Sequence, residues 1–101
     1  VSQKPTLRVY NASATVEFVH IPKRSKAMGH TRPISKTAKH PTRFCVVVDA
    51  KLRGVDRLDT LIHESLHVAD WGKDEVWVNK TATGIAKLLW KLGYRCEKEG
   101  V

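Results

Sequence analysis

Acidic residues are scarce in this chain: 10 Asp and Glu stand against 18 Lys and Arg, a net charge of +8. That balance favours encounters with acidic partners, nucleic acid or an acidic polypeptide, and is silent about fold. Long apolar runs are missing too. No stretch approaches the roughly 18–20 residues that a membrane helix needs, so none is expected. The first ten residues, VSQKPTLRVY, lack a basic segment followed by an apolar one. No secretory signal is legible there, and an intracellular, cytoplasmic protein is the expectation. Cysteine is limited to Cys45 and Cys96, with no CxxC pair. This excludes a cysteine zinc knuckle and a dithiol redox motif, and it favours two free thiols over a disulfide. Repeats and low-complexity tracts are also absent, so the 101 residues read as a single domain, 1–101. A body of that size buries a modest core, and any active site in it must be compact.

What is present is ordered by hydrophobic period. Residues 6–21, TLRVYNASATVEFVHI, alternate apolar and polar positions with a break at Asn11-Ala12-Ser13, which predicts two strands or a hairpin. From Pro22 to Arg43 the periodicity fades and prolines and basic residues accumulate, so a long basic loop is expected over about 22–43, with a short extended piece at 32–35. Phe44-Cys45-Val46-Val47-Val48 is an apolar, β-branched run and a strong strand candidate. A helix is predicted from about 56, with Asp56 as N-cap and Asp59 in its first turn, to 71 before Gly72. Its apolar stripe would be Leu58, Leu61, Ile62, Leu66 and Ala69, with His63 and His67 at the stripe's border. A second helix is predicted from near Asp74 to Leu92, ended by Gly93, with Val78, Ala82, Ile85, Ala86 and Leu89 inward and Lys80, Lys87 and Lys91 outward. The short link forces a tight corner or an antiparallel pair. The expected fold class is therefore α+β, a small sheet of three to four strands packed against two helices.

Chemistry concentrates in "LDTLIHESLHVADWGKDE", residues 58–75. His63-Glu64-Ser65-Leu66-His67 is an HExxH motif on a predicted helix. Residues four apart share a helical face, so two imidazoles can converge on one ion while Glu64 projects from a neighbouring direction toward water held there. Zinc, Zn2+, takes a third protein ligand and an open position for water, whose pKa falls toward ~7 so that a carboxylate can take its proton. Three acids could complete the set. Asp70 shares the histidine face but sits seven residues past His63, a rise of about 10.5 Å, which a short side chain does not easily span. It suits an orienting contact to a ligand histidine, or a lysine pair, better. Asp74 lies farther from the inward stripe and suits a helix cap. Glu75 falls near the stripe and has the longer reach, so it is the preferred candidate, with Asp70, Asp74, a loop histidine and a site lacking a third protein ligand left open.

This pattern resembles the zincin metallopeptidases and, within them, the gluzincins. "RLDTLIHESLHVADW" followed by "DEVWVNKTATGIAKLLWKLGYR" is similar to small predicted metallopeptidases of bacteriophage and bacterial genomes, over about residues 43–95. The resemblance implies a peptidase in which His63, His67 and Glu75 bind zinc and Glu64 is the general base. The gap from His67 to Glu75 is much shorter than in large gluzincins, which requires a sharp helical bend and keeps Asp70 in contention. The glycine and third histidine of metzincins are missing. In zincins an edge strand beside the active helix commonly holds peptide substrate, and 44–48 is its analogue here or else central core. For oxyanion stabilisation the chain offers His20, His30, His40, Tyr10 and Tyr94.

A second reading comes from the basic loop. Lys23, Arg24, Lys26, Arg32, Lys36, Lys39 and Arg43 could track a phosphate backbone without reading sequence, which would make the chain a nucleic-acid-binding protein with a structural or vestigial metal site. The tryptophans Trp71, Trp77 and Trp90 lie in the helical half, where packing is their usual role.

Overall fold

The alternation at the start of the chain closes into an antiparallel hairpin in a computed structural model that describes residues 4–96. Strand β1 spans Thr6–Val9 and β2 spans Ala12–Val19. The turn falls at Tyr10 and Asn11, one step earlier than the expected break, with Ala12 and Ser13 already paired to Val9 and Arg8. Tyr10 takes the positive φ that this short connection needs.

The expected basic loop is shorter than its composition suggests. After a 3-10 turn at Lys23–Ser25, strand β3 forms over Gly29–Pro33 and pairs antiparallel with β4, Arg43–Asp49. The extended piece expected at 32–35 overlaps only the last two residues of β3, because its partner, not its own periodicity, makes it a strand. β4 also pairs in parallel with β2, giving the sheet order β1-β2-β4-β3. Phe44 to Val48 is therefore central, not an edge strand. Its composition fits this: Phe44, Val46 and Val48, on the helix side, are almost fully buried, and Val47, on the other side, nearly so.

Helix α1, Gly54–Ala69, starts two residues before the expected point, with Arg53 as its N-cap and Asp56 in its first turn instead of capping it. α1 lies across one face of the sheet, over a core of Ala12, Ala14, Val16, Phe44, Val46, Val48 and Val68. The side it buries is not the apolar stripe. Arg57, Thr60, Glu64 and Val68 face inward, while Leu61, Ile62, Leu66 and Ala69 stay half-buried beside Leu7 and Val9. Two contacts account for this rotation. The Arg57 guanidinium stacks 4.1 Å from the centre of the Phe18 ring. Gly29 lets β3 press against the helix, since a Cβ there would lie 2.7 Å from the Val47 carbonyl oxygen and 3.0 Å from Thr60 Cγ2.

Helix α2, Glu75–Lys91, packs on α1 alone, through Val78, Ala82 and Ala86. Ile85, expected inward, is exposed, because with no third layer a narrow seam of small residues suffices. The helices run antiparallel: Gly54, at the start of α1, is close to Trp90 near the end of α2, and Thr83 donates a 2.8 Å hydrogen bond to Asp59 midway. Gly93, at φ 94°, terminates α2 as expected. Cys45 and Cys96 are free thiols. No helix among the described residues is long and apolar enough to cross a membrane.

Candidate metal centre

The antiparallel pair delivers the first residue of α2 to the last turns of α1. Asp70 ends α1, its N–H donating to the Leu66 carbonyl and its own carbonyl accepting from Lys73 N–H at 3.1 Å. Asp74 then caps α2 by accepting a 2.9 Å hydrogen bond from Trp77 N–H. Both aspartates are thus engaged in reversing the chain, and Glu75 emerges with its side chain turned back toward α1.

There it meets the histidines. Glu75 Oε1 lies 2.8 Å from His63 Nε2, Glu75 Oε2 lies 3.1 Å from His67 Nε2, and the two ring nitrogens are 3.1 Å apart. Among the described residues, His63, His67 and Glu75 form the one group with three potential ligand atoms within 4.8 Å of one another. Asp70 and Asp74 are outside it. Zinc bonds of about 2.0–2.2 Å in a tetrahedron separate ligand atoms by about 3.3 Å, so this triangle needs to open only slightly to admit the ion. The donor set fits as well. Bare imidazole lone pairs facing one another beside a carboxylate repel, and a cation or a shared proton must offset that repulsion. The histidine side chains are 16% and 15% exposed against 61% for Glu75, so the centre is walled by α1 and open on the α2 side.

Glu64 occupies the same cleft from the sheet side and is buried. The Thr31 hydroxyl on β3 donates to Glu64 Oε1 at 2.7 Å and lies 3.2 Å from the Glu64 carbonyl oxygen. The close approach permitted by Gly29 brings this edge strand within reach of the helix. The cleft, about 410 Å³, is lined by these groups with His30, Trp71 and Lys73. Trp71 is in the corner between the helices, not on either, braced 5.3 Å from Phe44 and 6.3 Å from His67, centre to centre. Of the residues considered for oxyanion stabilisation, His30 alone borders the cleft, but strand alternation from Thr31 sends its side chain to the other face of the sheet; Tyr10, His20, His40 and Tyr94 do not line it.

Gly29, Thr31, Trp71 and Lys73 are the cleft residues that sequence reasoning did not pick out. Trp71 and Lys73 carried a weak signal by following the motif directly, whereas Thr31 had none, since its role depends on pairing across the sheet. Compared with known proteins, the chain matches no protein-family model, no curated protein and no solved structure.

Proposed function

We propose that the chain is a zinc-dependent peptidase in which His63, His67 and Glu75 hold the metal and Glu64 serves as general base. The observation that carries this reading is the convergence of three ligand groups beside a separate, buried carboxylate that makes no contact with them among the described hydrogen bonds and ion pairs. A site that merely bound metal would have no use for a second acid held in the same cleft.

Zinc, when bound, supplies Lewis acidity that polarises a carbonyl and acidifies water. The chain's own residues supply the rest. Glu64 accepts a proton from the attacking water and returns it to the departing amine nitrogen as the amide C–N bond breaks. Thr31 holds the carboxylate in place, so its orientation is not lost to rotation between these two transfers. Substrate enters as an extended chain along the free edge of β3, the strand nearest the cleft, by adding its backbone to the sheet. Trp71 forms an aromatic wall beside His67, and Lys73 adds a positive charge at the rim.

The test is hydrolysis of a peptide library by the zinc-loaded protein and by Glu64→Gln. The reading expects the variant to retain zinc and fold while hydrolysis falls by about 100-fold or more, the scale of a lost general base. Equal turnover by Glu64→Gln, or no cleavage by a protein holding one zinc per chain, would overturn it.

A further inference from the structure

Both helices lie on one side of the sheet, and among the described residues no helix or strand packs on its other face. Strand alternation sends Phe44, Val46 and Val48 to the helices and their neighbours Arg43 and Cys45 to the open face. The register then gathers arginines that are distant in sequence. Arg8 pairs with Ser13, and Ser13 pairs with Arg43 on its other side, so the two arginines flank a serine across three strands, about 10 Å apart. Arg32 pairs with Cys45, two residues along from Arg43, which puts it on the diagonal at about 7–8 Å. All three arginines are exposed. No carboxylate among the described residues lies within ion-pair distance of them.

The acids of this face are already matched, although Glu17 reaches Cys45, the partner of Arg32. Glu17 pairs with Lys4 at 2.8 Å, and Asp49 has Lys51 at 3.7 Å. The lysine contact, with a smaller contribution from Arg32, holds the Glu17 carboxyl below its ordinary range. Positive potential is thus left uncompensated at the Arg8 and Arg43 end. Lys36 and Lys39 sit in the β3–β4 connection at that same end, where Ile34 N–H bonds the Arg43 carbonyl and Ser13 N–H bonds that of Thr42. Lys23, Arg24 and Lys26 lie at the other end of β4, about 20 Å away for a strand of its length. The basic segment is therefore divided, and the continuous track expected from sequence does not form.

We propose that this arginine cluster is a binding surface for the phosphodiester backbone of nucleic acid, independent of the metal centre on the opposite side. Guanidinium forks match phosphate oxygens in pairs, and the Ser13 hydroxyl between two of them adds a neutral donor. The exposed apolar side chains near it, Ile34 beside Arg43 and Tyr10 at the hairpin turn, are single residues at its rim and do not form the packed central pocket that concentrates affinity for a protein partner. Backbone binding needs none, because its driving force is the release of counterions. Without a reading helix on this face, the contact does not discriminate sequence.

The experiment is fluorescence anisotropy of a labelled mixed-sequence DNA duplex with the full chain, titrated across roughly 20–200 mM salt. It compares wild type, the combined variant Arg8→Ala, Arg32→Ala, Arg43→Ala, and a charge-matched control, Lys23→Ala, Arg24→Ala, Lys26→Ala. Far-ultraviolet dichroism and zinc content report that each remains folded. The expected result is wild-type binding with a linear log–log salt dependence, a slope reduced by about 2–3 in the arginine variant, and a smaller change in the control. Equal losses in both variants would reduce the effect to net charge and overturn the site. Absence of binding at the lowest salt would do the same, and so would displacement by poly-glutamate at matched charge, which would assign the face to acidic polypeptides.

Discussion

The Thr31 hydroxyl donates a 2.7 Å hydrogen bond to the Glu64 carboxylate, joining the edge strand of the sheet to the helix that carries His63 and His67. Thr31 and Glu64 are 33 residues apart. Their contact makes β3 part of the site as well as part of the sheet, and it gives Thr31 the role of a positioning residue. Replacing Thr31 with Val keeps the shape and removes the donor. Under the peptidase reading, kcat should fall by about 10- to 100-fold, a fraction of the contribution of a general base, while KM and zinc content hold steady. Thr31→Ser should restore most of the rate. Kinetics of the zinc-loaded variants on one cleavable peptide would decide this, and a change confined to KM would argue for a substrate contact instead.

Glu75 and Asp70 are separable by metal content. Purified wild-type protein should carry about one zinc per chain, as a mononuclear site requires. Glu75→Ala should lose it, and Asp70→Ala should keep it, because Asp70 lies outside the ligand triangle. Elemental mass spectrometry on the three proteins gives the answer. Retention of zinc by Glu75→Ala would show that two histidines and solvent suffice.

Asp74 works through Glu75. Loss of its 2.9 Å cap to Trp77 N–H in Asp74→Ala should cost about 0.5–2 kcal/mol of stability. It should also weaken zinc binding, since the capped turn presents Glu75. Urea melts in the presence and absence of zinc would separate the two effects: the deficit should be larger with the metal present.

Gly29 marks the tightest approach of β3 to α1. A Cβ at this position would meet the Val47 carbonyl oxygen at 2.7 Å, and backbone cannot retreat cheaply. Gly29→Ala should therefore destabilise the fold by about 1–3 kcal/mol, the usual cost of overpacking. Chemical denaturation would measure it, and an unchanged midpoint would mean that the edge strand moves freely.

Asp49 predicts a pH dependence. The Lys51 N–H donates to its carboxylate at 3.0 Å and, against an opposing contribution from burial, holds the carboxyl below its ordinary value; the Lys51 ammonium adds to the effect. A carboxyl with a lower pKa folded than unfolded stabilises the fold above its unfolded value of about 4, and that stability is lost as pH falls through the folded pKa. Wild type should thus exceed Asp49→Asn in stability at neutral pH, and the gap should close in acid. Denaturant midpoints measured from neutral pH downward would show the convergence; a constant gap would assign the effect to packing.

The sequence by itself determined whatever depends on near neighbours. HExxH spacing places two imidazoles on one helical face, the β-branched run at 44–48 is a strand, Gly93 ends the last helix, and the reach of Glu75 made it the preferred partner for the histidines. Each follows from the period of a helix or strand or from the conformational freedom of one residue. Tertiary structure decided what depends on pairing over distance. Sheet order made Phe44 to Val48 central and gave the edge to β3, a strand with no periodicity of its own. Close packing at Gly29 turned the helix so that Glu64 and Thr60 face the sheet while Leu61 and Leu66 are left half-covered. The same register divided the basic segment and set Arg8 and Arg43 on either side of Ser13. None of this is written in local pattern, because a strand's neighbours are chosen by the energy of the whole sheet, and a side chain's face is set by whichever neighbour it meets.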